Sequence, residues 1–166
     1  GAMAVFVLPG RYSDPLILDR PGTQVTGVPG KTIFSNKQAT TSAGLVRADS
    51  VSLYGLTFRT EPGQGHAGGA LDVRRRGIRL ARITIEGSDE DGIVVTGQAR
   101  IEDSVIENTD NTGLRIRDGS FDCYIDGITV RSAGINSIEV EKGARNTVIG
   151  ACRVDGEVAS HSSCTI

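Results

Sequence analysis

The stretch Val51–Gln98, VSLYGLTFRTEPGQGHAGGALDVRRRGIRLARITIEGSDEDGIVVTGQ, holds one structural unit twice. The run VSLYGLTF (Val51–Phe58) returns as IRLARITI (Ile78–Ile85), and the shorter run ALDV (Ala70–Val73) returns as GIVV (Gly92–Val95). Working outward, the eight-residue run recurs as ARIEDSVI from Ala99, CYIDGITV from Cys123 and TVIGACRV from Thr147. Successive starts lie 27, 21, 24 and 24 residues apart. Spacings in this range, with length changes absorbed in loops, mark a solenoid.

Positions 1, 3, 6 and 8 of each copy are mostly apolar. They form the columns Val51/Ile78/Ala99/Cys123/Thr147, Leu53/Leu80/Ile101/Ile125/Ile149, Leu56/Ile83/Ser104/Ile128/Cys152 and Phe58/Ile85/Ile106/Val130/Val154. Period two, a two-residue skip and period two again describe a strand, a bend and a second strand with all four columns inward. A helix would need apolar residues at i, i+3, i+4 and i+7, and the glycine content opposes it. The shorter run repeats as GLRI (113–116) and SIEV (137–140), with GLVR (44–47) a less regular earlier copy. Its copies begin at Gly, Ala or Ser, where a bulky Cβ would obstruct the turn or the next coil. Three strands per coil, with coils stacked at about 4.8 Å, make an all-β parallel β-helix. About seven coils are expected, in one domain over residues 4–166, with residues 1–3 read as the scar of a removed tag.

Upstream, residues 4–34 alternate short apolar runs with Pro-Gly and Ser-Asp-Pro turns. The chain has 166 residues, enough to bury a core. Its 18 Lys+Arg against 20 Asp+Glu supply no electrostatic argument for nucleic acid or for an anionic membrane. No apolar run approaches the ~20 residues of a membrane span, so membrane insertion is not expected. Three widely spaced cysteines form neither a disulfide framework nor a zinc motif, so no metal site is assigned. Cys123 and Cys152 fall in inward columns as buried thiols. Ser104, also inward, needs a backbone or water partner. An open solenoid end exposes unpaired strand backbone, so a homo-oligomer formed through the coil ends is a candidate assembly.

The repeat copies VSLYGLTF…GALDV, IRLARITI…DGIVV and ARIEDSVIENTDNTGLRI resemble the right-handed parallel β-helix repeat of the pectin-lyase-like superfamily. The opening VFVLPGRYSDPLILDRPGTQVTGVPGKTIF is similar to the first coils of exported repeat proteins of unknown function. The resemblance spans residues 5 to about 155 and implies a right-handed single-stranded coil and an exported location: periplasmic, extracellular or virion surface. It does not select among lyases, hydrolases, epimerases, tailspikes and non-catalytic surface proteins.

Catalytic candidates, if the chain is an enzyme, are Asp89, Asp91, Asp110 and Arg115. The acidic loop Ser88-Asp89-Glu90-Asp91-Gly92 is followed one coil later by Asn108-Thr109-Asp110-Asn111, and carboxylates at matching places in stacked coils lie about 5 Å apart. Asn108-Thr109-Asp110 matches part of the Asn-Thr-Asp-Gly element that the resemblance to polygalacturonases would require, but its glycine is Asn111 and the remaining elements are absent. Asp and Asn are also turn residues. The outward positions of the third strand form the columns Asp72/Val94/Arg115/Glu139 and Arg74/Thr96/Arg117/Glu141. There Arg115 and Glu139, and Arg117 and Glu141, are placed for cross-strand ion pairs, or the arginines for gripping sugar carboxylates. The candidate binding residues are therefore His66, Asp72, Arg74, Arg117 and Glu139. No cofactor is expected, although a lyase would use Ca²⁺ held by Asp89, Asp91 and Asp110. With incomplete catalytic signatures and few aromatic residues, the leading expectation is a non-catalytic binding or structural module of an exported or surface protein. Polysaccharide is the expected partner, met by loops 59–69, 86–91 and 107–112. The alternatives are a lyase, hydrolase or epimerase acting on uronate glycans, and a phage or surface assembly protein.

Overall fold

A computed structural model describes residues 2–37, 41–61, 68–161 and 164–165. The described residues form short strands and no helix. Each strand pairs in parallel with its counterpart one coil away, giving three sheets of eight, seven and seven strands. The first sheet runs from Met3–Phe6 through Ser52–Tyr54 and Ile78–Ala81 to Cys164–Thr165. The second runs from Gly10–Tyr12 through Thr57–Thr60 and Val105–Thr109 to Arg153–Val154. The third runs from Leu16–Leu18 through Gly69–Val73 and Asp91–Val95 to Val158–Ser160. The expected β-helix of about seven coils is what the chain forms.

The apolar columns stack as read from the sequence. Leu53, Leu80, Ile101, Ile125 and Ile149 oppose one another in consecutive coils of the first sheet. Phe58, Ile85, Ile106, Val130 and Val154 do so in the second. Leu71, Ile93, Leu114 and Ile138 do so in the third. In the inner coils these side chains are fully buried, and only Cys152 and Val154 of the last full coil are partly open. Tyr12 stacks on Phe34 at 5.1 Å and Phe34 on Phe58 at 5.8 Å, so the second-sheet column begins as an aromatic ladder. Such stacks add about 1 kcal/mol per pair to the burial itself.

The two-residue skip is a bend between the first and second sheets. Gly55, Arg82, Asp103 and Gly127 take it with φ of 66°, 52°, 47° and 63°. One left-handed residue turns the chain sharply enough for both strands to face the same core. The small residues opening the third-sheet strands are there for close approach. A Cβ on Gly92 would lie 2.5 Å from the Gly113 carbonyl, and one on Gly113 would collide with Val130 Cγ1 and the Ser137 carbonyl. Ser104 has its expected backbone partners, donating to the Glu102 carbonyl at 2.8 Å and accepting from the Ile83 amide at 3.1 Å. At the N-terminal coil Phe6 and Leu8 are 62% and 66% exposed. No helix among the described residues is long and apolar enough to cross a membrane.

Two measurements check this core. Ile101→Ala, at a fully buried position, lowers the unfolding free energy in a denaturant titration by about 2–5 kcal/mol. Val148→Ala, on the outer face of the same sheet, changes it by no more than about 0.5 kcal/mol. Burial pushes the Cys123 thiol above its ordinary range, so less thiolate forms in the folded protein than in the unfolded chain at any given mildly alkaline pH. Iodoacetamide therefore labels Cys123 much more slowly in native protein than in denaturant, as read by peptide mass spectrometry.

Candidate functional site

The outward face of the third sheet carries the charged columns in the expected register. Asp72 opposes Val94, Val94 opposes Arg115, and Arg115 opposes Glu139. Asp91 opens the strand Asp91–Val95 and joins this face from its edge. Its Oδ1 accepts from the Thr112 amide and from Arg115 Nη2, both at 3.1 Å. Its Oδ2 lies 2.7 Å from Arg115 Nε, a contact too bent to count as a hydrogen bond but close enough for an ion pair. Arg115 Nη1 also lies 3.3 Å from Glu139 Oε2 and 3.6 Å from Glu141 Oε1. Thr112 Oγ1 connects the parts, 3.3 Å from Arg115 Nη2 and 3.4 Å from Glu139 Oε2. One guanidinium thus holds three carboxylates. The Asp91 side chain is 6% exposed and that of Arg115 22%.

Burial works against the Arg115 charge, but the hydrogen bond to Asp91 and the fields of Asp91, Glu139 and Glu141 outweigh it and raise its pKa above the ordinary arginine value. Asp72 and Arg74 form a second, smaller pair. Arg74 Nε and Nη2 lie 2.9 and 2.6 Å from Asp72 Oδ2, and that hydrogen bond raises the Arg74 pKa.

The acidic loop keeps the register of the strands, with Ser88 aligned on Thr109. Offset by 21 residues throughout, like the strands around it, the loop sets Asp89 beside Asp110, Glu90 beside Asn111 and Asp91 beside Thr112. Asp89 accepts from Thr60 Oγ1 at 3.1 Å, Glu90 bonds the Asn111 amide side chain, and Asp110 lines an exposed groove with Arg59, Glu86 and Asn108. Asp91 therefore faces the third sheet, whereas Asp110 opens onto the corner beside the second. Glu141, expected beside Arg117, lies 3.6 Å from Arg115 Nη1 and accepts from the Asp118 amide at 2.9 Å, because the half-buried Arg115 guanidinium is less screened by solvent than the exposed Arg117. Thr112 and Glu90 were not singled out in the sequence. The constant 21-residue offset was the signal that would have placed both. His66 lies outside the described residues. Among those described, no three His, Cys, Asp or Glu side chains are grouped to hold a metal ion.

Three parallel sheets wound into a coil, with a charged ladder on the outer face of one, define a parallel β-helix. No family model matches the chain, and no curated protein matches it by sequence. Among solved structures it is similar to pectin methylesterase PemA from Erwinia chrysanthemi, at 10% identity and TM-score 0.59, covering 92% of this chain and 72% of that one. It is also similar to a pectin methylesterase mutant in complex with hexasaccharide IV, at 11% identity and TM-score 0.58, covering 99% and 72%. A third likeness is to the deglycosylated pectin methylesterase from Aspergillus niger, at 13% identity and TM-score 0.50, covering 99% and 77%. At these identities the likeness is one of fold.

The Asp91–Arg115 cluster makes a stability prediction. Arg115→Met leaves three neighbouring carboxylates without their shared cation and lowers the unfolding free energy by about 3 kcal/mol. The double variant Asp91→Asn/Arg115→Met loses less than the sum of the two single changes, measured as a double-mutant cycle in urea.

Proposed function

We propose that the chain is a non-catalytic β-helix module that binds polysaccharide along the outward face of its third sheet, within an exported or surface protein. The observation that carries this reading is the closed state of Asp91. A general acid or base must reach the proton it moves, and a glycosidase pair must present two carboxyl groups to one bond. Asp91 is buried, with both oxygens engaged by Thr112 and Arg115, while Asp110 opens onto a different corner. Asp72 is likewise committed to Arg74. The carboxylates on this face serve its own arginines.

Two features support a saccharide ligand. The outer face of a parallel coil presents side chains at a regular rise of about 4.8 Å, which suits a ligand that is itself an extended repeating chain. One β-helix of the same fold is a pectin methylesterase described in complex with a hexasaccharide.

Incubation with pectin, pectate and alginate, with and without Ca²⁺, tests the reading while methanol release, reducing ends and unsaturated products are followed. The expected result is saturable binding in a calorimetric titration and no product. Turnover that disappears in Asp91→Asn would overturn the proposal in favour of an enzyme acting on uronate glycans, with Asp91 and Arg115 at its centre.

A further inference from the structure

The charges of this nearly neutral chain are segregated around the coil. The corner between the second and third sheets carries Glu61, Glu86, Asp89, Glu90 and Asp110, with Lys37 paired to Glu61. The corner between the third and first sheets carries the run Arg74-Arg75-Arg76 instead, with Arg47 one coil before it. A groove of about 350 Å³ at that basic corner is lined by Asp49, Arg74, Arg75, Arg76, Gly97 and Phe121.

Stacked turns build this groove. The Ser50 amide donates to the Arg76 carbonyl at 2.9 Å, the Gln98 amide to the Arg75 carbonyl at 3.1 Å, and the Phe121 amide to the Gly97 carbonyl at 3.0 Å. Gly97 has φ of 150°, and a Cβ there would run into the Arg75 carbonyl, so the middle turn is bare at this position. The arginine turn thus stands on one side of a bare step and the half-buried Phe121 on the other. Arg74 is tied to Asp72, and Arg76 lies 3.5 Å from Asp49, which also accepts the Arg76 amide. Arg75 donates Nε to the Arg47 carbonyl at 2.8 Å, and among the described residues no carboxylate pairs with it. Its guanidinium is held by backbone with its charge uncompensated.

We propose that this corner is an anion subsite for a carboxylate-bearing polysaccharide, with Arg75 and Arg76 taking uronate carboxylates and Phe121 offering an apolar face to a sugar ring. The proposal rests on the polysaccharide-binding reading above and identifies the glycan class. Guanidinium groups recognise carboxylates through paired, charge-assisted hydrogen bonds. An aromatic edge beside them suits the apolar face of a pyranose. The acidic corner across the third sheet repels the same ligand, so a uronate chain is steered to this side. Nucleic acid is the less favoured polyanion, because Asp49 and Asp72 interleave with the arginines and the chain as a whole carries a formal charge of −2.

The test titrates wild type, the double variant Arg75→Gln/Arg76→Gln, and the control Arg153→Gln on the outer second sheet. The probes are de-esterified oligogalacturonate, the same oligomer fully methyl-esterified, and single-stranded DNA. Wild type should prefer the de-esterified oligomer by about tenfold or more, with binding weakened by added salt. The double variant should lose that preference while keeping its melting temperature, and Arg153→Gln should bind like wild type. Unchanged oligogalacturonate affinity in the double variant overturns the subsite and leaves the polysaccharide reading standing. DNA binding as tight as oligogalacturonate binding overturns it in favour of an unspecific polyanion patch. No binding to any glycan overturns the polysaccharide reading and the subsite together. Should the double variant melt early, equal wild-type affinity for the two oligomers would still refute the subsite.

Discussion

In a parallel coil, every residue sits directly above its equivalent one turn earlier, about 4.8 Å away. The backbone hydrogen bonds of the strands run between coils, so no coil is stable without its neighbours. Each inward position must then accept the side chain stacked on it, and each outward position the charge stacked on it. The apolar columns of the first sheet, from Leu53 to Ile149, meet this demand with like over like. The outer face of the third sheet meets it with opposite over opposite, at Arg115 and Glu139.

The same rule explains why the catalytic candidates split between the third-sheet face, where Asp91 meets Arg115, and the neighbouring corner, where Asp89 lies beside Asp110. In stacked coils, a carboxylate either meets a like charge or must find a cation. Asp91 finds Arg115, and Asp72 finds Arg74. Once paired, these groups help hold the face together. Uncompensated charge is left at the corners, where turns vary in length and direction. There Arg75 remains without a carboxylate partner among the described residues. The anion subsite proposed at the basic corner and the ion pairs on the third-sheet face are therefore two consequences of one stacking geometry.

The strands were largely legible in the sequence. Their four inward columns, the skip that became the Gly55, Arg82, Asp103 and Gly127 bend, and the small residues opening the third-sheet strands were all visible there. The site was legible only in outline. Asp91 and Arg115 were named together, and the Asp72/Val94/Arg115/Glu139 column was correct, but Asp110, grouped with them, lines a groove at a different corner. Arg117 was paired with Glu141, whose carboxylate lies 3.6 Å from Arg115 instead. How far a side chain reaches across a polar face leaves no apolar column broken to betray it.

By itself, the sequence determined the parallel coil, because apolar period and repeat length are carried by every copy and each copy corroborates the rest. Only the tertiary structure decided which charge meets which. Salt-bridge choice depends on how turns of unequal length wind onto each other, and on whether one guanidinium such as that of Arg115 can reach across two coils. The segregation into an acidic and a basic corner arises in the same way. It sums residues far apart in the chain that stacking brings onto one edge, which no local pattern records.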